Sequence, residues 1–184
     1  MGDGLLVGPR VYAVIFFLFT MVFLFFPFLL GAPWFPTSMG TVRKMLLMAG
    51  VNPGDILYDL GSGDGRIIVA AAKEFGARSV GIDVNPLWVL WTRLRIGALK
   101  MGDRVEVFWG DFFLMDLSEV DVVTLYLLQG TNDSLKQKLE KELKPGARVV
   151  SHIYTFKGWR PLTADNESEI YFYRIGDHRE PVQR

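Results

Sequence analysis

The sequence predicts an α/β domain: a mostly parallel, twisted sheet with helices on its faces and an antiparallel strand near one edge, preceded by a membrane-spanning helix. Three observations predict it. From residue 39 onward, short β-branched apolar runs alternate with longer helix-like runs, the pattern of βαβ units. Tyr58-Asp59-Leu60-Gly61-Ser62-Gly63-Asp64-Gly65-Arg66 follows the apolar pair Ile56-Leu57 and precedes a helix-like run, which reads as strand, glycine turn, helix. Val11 to Leu30 is twenty residues without a charge, and a helix of that length spans about 30 Å, the hydrocarbon thickness of a bilayer.

Composition narrows the classes. The 184 residues allow one domain of ordinary size. Half are hydrophobic, and the excess sits in the run at 11–30. Net charge is zero with the signs well mixed, so no basic stripe announces a nucleic-acid partner. The absence of cysteine removes disulfides, thiolate metal sites and a cysteine nucleophile. With His152 and His178 the only histidines, no His-rich metal site is expected, and no metal.

Taken in order, residues 1–10 form a glycine-rich tail. The run at 11–30 is longer than a signal-peptide core and lacks a good cleavage site, and a buried core helix would show a polar face that this run does not. Thr20 can bond back to its own helix, and Pro27 lies near the far end, where a kink is tolerated. Gly31 to Ser38 is a proline-punctuated linker whose Trp34 and Phe35 either sit at the membrane interface or fold back as a lid. Thr37 or Ser38 caps a helix running to about Ala49, with Val42, Met45, Leu46 and Met48-Ala49 inward. The expected division is 1–30 for tail and transmembrane helix, 31–38 for linker or lid, and 39–184 for the folded domain. Arg10 on one side and Arg43 and Lys44 on the other nearly balance, so charge does not orient the span.

Strands follow at 56–60, 79–84, 104–108, 120–128 and 148–154. Helices are expected at 66–75, closed by Gly76; from Pro86 to about Met101, with Leu87, Leu90, Trp91, Leu94 and Ala98 inward and Trp88 off that face; and from a Thr131-to-Ser134 cap to about Leu143. Gly158 to Gly176 reads as two strands around Asp165-Asn166-Glu167, which supplies the antiparallel edge.

The glycine turn suits a ligand that approaches the backbone closely at a helix N-terminus. Its spacing, glycines 61, 63 and 65 with Arg66 next, departs from the G-x-G-x-x-G dinucleotide fingerprint. Asp59 and Asp64 flank it and would repel a pyrophosphate. S-adenosyl-L-methionine, with an amino group and a sulfonium and no phosphate, fits better. Asp83, at the end of the second strand, is placed to hold a ribose diol; the alternative is a cap for the helix from Pro86. After the third strand, Asp111 can accept from an adenine amino group, and Phe112 or Phe113 can pack on the ring.

This succession, YDLGSGDGR, GIDVNP, GDFF and KPGARVVS, resembles the class I S-adenosylmethionine-dependent methyltransferases. PWFPT, NPLWV and KLEKELKPGARVVSHIYTFKGWRP are similar to the small archaeal protein lysine methyltransferases and to their membrane-anchored mitochondrial relatives, which act on the adenine nucleotide carrier and the ATP synthase c-subunit. The resemblance runs from about residue 33 to the end. It implies a Rossmann-like fold and cofactor contacts at Asp59, Gly61, Ser62, Gly63, Asp64, Asp83, Asp111 and Phe112. It also implies that Pro33 to Thr37 covers the cofactor, with Thr37 among its contacts, and that Tyr126 to Gln129 lies beside the reactive methyl. The N/D-P-P-Y/F motif of enzymes that methylate nucleic-acid bases is absent.

Methyl transfer to an amine is an in-line displacement needing alignment and a dry cleft more than acid–base groups. Tyr126 is the candidate catalytic residue, orienting the amine through its hydroxyl or ring; otherwise it is a core tyrosine at a strand end. The expected activity is that of a membrane-anchored methyltransferase directed at a lysine of a protein, with a membrane protein as a fitting substrate. The cofactor, made in the cytoplasm, places the domain there. A lipid or isoprenoid substrate and a non-catalytic cofactor-binding or membrane interaction protein are the alternatives.

Overall fold

The computed structural model of the chain describes residues 8, 11–18, 20, 21 and 36–177. The chain divides into two compact units, Met1–Phe35 and Pro36–Arg184, so the boundary falls within the linker expected at 31–38. In the first unit residues 11–18 are helical with exposed side chains, and the Thr20 hydroxyl donates to the Phe16 carbonyl at 2.8 Å, the back-bond that satisfies a hydroxyl on an apolar helix. Among the described residues no helix is long and apolar enough to cross a membrane. Phe19 and residues 22–30 of the expected span lie outside the described residues, as do Pro33, Trp34 and Phe35.

The second unit runs α1 (Met39–Met48), β1 (Ile56–Leu60), α2 (Arg66–Phe75), β2 (Arg78–Asp83), α3 (Pro86–Ala98), β3 (Val105–Trp109), a 3₁₀ turn (Phe112–Leu114), β4 (Val122–Leu125), α4 (Gln129–Glu142), β5 (Arg148–His152), β6 (Thr163–Asp165) and β7 (Ile170–Arg174). The seven strands form one sheet in the order β3-β2-β1-β4-β5-β7-β6. The first five are parallel, β7 is antiparallel to β5, and β6 is antiparallel to β7. The order reverses between β1 and β4, the switch point at whose strand ends open α/β sheets bind ligands.

Strand alternation divides the core. Leu57, Val107, Val122 and Val150 pack with Val42, Met45 and Leu46 of α1, Ile68 and Ala71 of α2, and Val89 and Ile96 of α3. Leu60, Ile82, Val123, Leu125 and Val149 pack with Leu135 and Leu139 of α4. Phe156, Trp159 and Tyr173 stack on that second side with centroids 4.5–5.5 Å apart. Local chemistry sets the helix ends. Ser38 Oγ accepts from Thr41 N at 3.1 Å, capping α1, and left-handed Gly76 ends α2. Arg43 grips Glu74 at two points, 2.7 and 3.0 Å, joining α1 to α2.

Three expectations are corrected. The inward face of α3 is Val89, Thr92 and Ile96, whereas Leu87, Leu90, Trp91, Leu94 and Ala98 are exposed and Trp88 is half-buried. The glycine turn dictates this rotation: the Thr92 hydroxyl donates to the Gly63 carbonyl at 3.0 Å, and Arg95 donates to the Asp64 carbonyl at 3.0 Å. Second, α4 starts at Gln129 with no side-chain cap. Asn132 lies inside the helix, buried, its amide donating to Ser151 Oγ at 3.2 Å and the Tyr154 carbonyl at 3.1 Å. Third, the strands expected at 120–128 and 148–154 are shorter. β4 leaves the sheet after Leu125, whose pairing partners are Leu60 and Ser151, and β5 stops at His152, because Ile153 turns with φ 66°.

Gly65, with φ 72°, carries the turn into α2, and a Cβ there would collide with Thr92 Cγ2. Gly65→Ala is therefore expected to lower stability by roughly 1–3 kcal/mol, the range for a forced backbone conformation, read from urea denaturation against wild type.

Candidate functional site

Sheet register assembles the site. The amides of Gly61 and Ser62 donate to the Ile82 carbonyl at 2.8 and 3.0 Å, folding the glycine turn over the ends of β1 and β2. Gly81 makes room beneath it: a Cβ there would stand 2.6 Å from Ser62 Oγ. Ser62 Oγ, packed there, is buried without a hydrogen-bond partner.

Asp59 is buried beside Thr124, its register partner on β4, whose hydroxyl donates to Asp59 Oδ1 at 2.8 Å. Burial pushes the Asp59 carboxyl up to about 7; the Thr124 hydrogen bond opposes this, and the negative charges of Asp83 and Asp64 add to it. Asp83 accepts from Gly63 N at 2.8 Å through one oxygen and from Asn85 N at 2.8 Å through the other. Burial raises its pKa as well, against those two backbone hydrogen bonds. The cap of α3 is Asn85, whose Oδ1 accepts from Leu87 N at 3.0 Å, with Asp83 bonded to the backbone of that cap residue.

Asp64 plays a different part. The Arg66 guanidinium holds it at 2.7–3.2 Å, and Arg95 lies 3.9 Å away. Burial works to raise its pKa, but the Arg66 hydrogen bonds and charge, with Arg95, hold it below the usual carboxylate range. Arg66 also donates to the Thr37 carbonyl at 2.6 Å. Thr37, buried at the start of the second unit, is thus tied to the glycine turn through its backbone. Gly110 N donates to the Asp83 carbonyl at 3.0 Å, which brings exposed Asp111 and buried Phe112 to the same end of the sheet. Asp111 Oδ1 accepts from Phe113 N at 2.9 Å, shaping the 3₁₀ turn.

On the other side, Leu127 reaches over the turn, so that a Cβ on Gly61 would stand 2.9 Å from its Cδ2. The neighbouring Tyr126 packs its ring on His152, centroids 4.5 Å apart and tilted 59°. Burial raises the Tyr126 pKa and lowers that of His152 against the pull of Glu169, so both rings are neutral at pH 7. Buried His152 Nδ1 and Asn132 Oδ1 lack hydrogen-bond partners. The sequence reading missed Thr92, Thr124, Arg95, Asn132 and His152. A polar residue inside an apolar strand run was the available signal for Thr124; for the others there was none, because their roles depend on neighbours distant in the chain.

Among the described residues no acid or histidine cluster could hold a metal ion. Asp59 and Asp83 are buried without a cationic hydrogen-bond partner, while both arginines nearest the turn are engaged by Asp64 and its backbone. These acceptors suit an ammonium and hydroxyls and oppose phosphate, and S-adenosylmethionine offers the first two.

Comparison with known proteins agrees. The ANTKMT methyltransferase domain matches residues 59–163. The protein-lysine N-methyltransferase of Saccharolobus islandicus is 43% identical over 154 residues, 80% of this chain and 96% of that protein. The lysine N-methyltransferase of the ATP synthase c-subunit from Xenopus laevis is 31% identical over 150 residues, and the match spans 80% of this chain and 65% of that protein. A crystal structure described as an RNA methyltransferase from Salinibacter ruber with S-adenosyl-L-homocysteine is 41% identical, has a TM-score of 0.75, and covers 82% of this chain and 98% of its own.

The raised Asp59 pKa has a definite sign. A buried carboxyl that prefers its proton stabilises the fold fully below the ordinary carboxylate pKa, and this contribution is lost as pH rises toward 7. In the ligand-free protein, stability attributable to Asp59 is expected to fall between about pH 4 and 7. Asp59→Asn should flatten that part of the profile, measured by urea denaturation across the range; a wild-type slope that survives the substitution assigns it elsewhere.

Proposed function

We infer the function from the premise that this chain belongs to the ANTKMT methyltransferase domain family and is an S-adenosylmethionine-dependent methyltransferase. It methylates the side-chain amine of a protein lysine, and it does so tethered to a membrane by residues 11–30, with the catalytic unit on the cytoplasmic side. One observation carries the reading: the ends of β1, β2 and β4 meet at a turn lined by the buried acids Asp59 and Asp83, beside an apolar and aromatic wall of Leu127, Tyr126 and His152. The lysine assignment draws on the Saccharolobus relative, whose whole length is similar. The uncharged run at 11–30 supports the tether.

When bound, S-adenosylmethionine supplies an electrophilic methyl on a sulfonium. Asp59 and Ser62 would receive its polar amino-acid end, Asp83 its ribose hydroxyls, and Asp111 with Phe112 its adenine. Asp64 acts through Arg66, which keeps Thr37 over the turn. Tyr126 and His152 form the wall against which the lysine amine is aligned. An apolar channel lowers the pKa of an entering ammonium, so the amine can lose its proton to water before the displacement. A neutral His152 adds no charge that would oppose an incoming cation.

The Salinibacter relative, described as acting on RNA, raises a second substrate. The mixed charge of this chain and its zero net charge oppose that, since non-specific RNA affinity rests on basic surface. Membranes, total RNA and lipid extract incubated with the full chain and methyl-tritiated cofactor separate the readings. Acid-stable label in protein, recovered as methyl-lysine, is expected. Label confined to RNA or to the organic phase overturns the lysine assignment. Tyr126→Phe is expected to lower kcat about 100-fold, the scale of a small loss of alignment at the reacting centre, with cofactor affinity by calorimetry unchanged. A parallel loss of cofactor binding would make Tyr126 a structural residue.

A further inference from the structure

The rotation that places Thr92 against the glycine turn leaves an unpartnered apolar stripe on the opposite side of α3. Leu87, Leu90, Trp91 and Leu94 are 52, 56, 56 and 63% exposed, and their i, i+3, i+4, i+7 spacing makes them one face. Trp109, 67% exposed, extends the patch from the sheet edge. Its indole N–H is satisfied by the Val84 carbonyl at 3.0 Å, just before α3 begins, so what it presents outward is ring. Four large side chains on one helix face, with an aromatic beside them, exceed the scattered apolar exposure of an ordinary surface.

Charge identifies the occupant. From Pro86 to Lys100 the chain carries Arg93, Arg95 and Lys100 and no acid. Arg93 borders the stripe, its guanidinium 3.3 Å from the Val107 carbonyl, where a long cationic side chain can lay its stem along apolar contact and keep its charge at the rim; Arg95 is turned to the glycine turn instead. An apolar face with tryptophan, on a helix that carries cations and no acid, is the chemistry of a helix lying in the interface of an anionic bilayer. A second copy of the chain is the competing occupant, and the shielded outcome of the experiment below reports it.

We propose that the outer face of α3, with Trp109, docks on an anionic membrane surface and so fixes the orientation of the catalytic unit toward its substrate. This goes beyond the proposed function and rests in part on its tether at residues 11–30. The face turned to lipid belongs to the helix opposite α4 across the sheet, so the Tyr126–His152 wall at the strand ends stays free for a lysine.

The chain has no cysteine, so a single Leu94→Cys takes one fluorescent label, and Lys141→Cys on exposed α4 surface is the control. The full chain is placed in vesicles of phosphatidylcholine and phosphatidylglycerol. Several-fold stronger quenching by nitroxide-bearing lipid is expected at position 94 than at 141, with loss of that difference in phosphatidylcholine alone and in the Arg93→Gln/Lys100→Gln variant. Quenching of the position-94 label by aqueous iodide overturns the proposal, as does quenching that ignores anionic lipid. A label shielded from both quenchers means a protein covers the face, and also overturns it. Alkaline extraction of the same vesicles reports the tether separately. Retention of the chain with a water-exposed label at 94 sinks docking alone; release after a lipid-quenched label sinks the tether alone.

Discussion

The packing of Thr92 on the glycine turn is the contact on which the rest of the site depends. The turn must be nearly bare of side chains to admit a ligand, so a neighbouring element has to support it from behind. Thr92 does this with its methyl against Gly65 and its hydroxyl on the Gly63 carbonyl. Arg95, one turn further along α3, reaches the Asp64 carbonyl. Together they hold β1, α2 and α3 in one arrangement. They also decide which way α3 faces, and hence that its most apolar side points outward.

Electrostatics complete what the packing begins. Asp59 and Asp83 are buried with hydrogen-bond donors that are hydroxyl and amide, not cationic. Such carboxyls are costly to ionise and resist a fold unless a ligand compensates them. Asp64, nearest the surface of the three, is the one that has its own arginines. The division separates a pair of buried acids without a cationic partner from one acid that anchors Thr37 and the start of the second unit.

Much of the fold was legible in the sequence. The strand at 56–60, the glycine turn, α2 and its Gly76 stop, and the β6–β7 hairpin stand where local signals put them, and the strand expected at 79–84 lies one residue earlier, because apolar runs, glycines and caps act over a few residues. The candidate site was legible as a set of types and positions: Asp59, Ser62, Asp83, Asp111 and Phe112 do gather at one end of the sheet. Their partners were not. Thr124 meets Asp59 only through β1–β4 register, and His152 meets Tyr126 only because β5 lies beside β4. Asn132 looked like part of a helix cap because asparagine favours caps. Its buried amide instead ties α4 to the loop after β5, which a local rule has no means to register.

By itself the sequence determined the alternation of elements, the position of the glycine turn, the class of cofactor and the family resemblance, all properties of short segments read in order. Tertiary structure alone decided the rotation of α3, the ends of β4 and β5, and which acid is paired and which is left for a ligand. The physical reason is the same in each case. A helix with apolar residues on two sides has no local preference for which to bury, and a carboxylate has no local indication of its partner. Contacts between residues far apart in the chain, Thr92 with Gly63 and Thr124 with Asp59, make those choices.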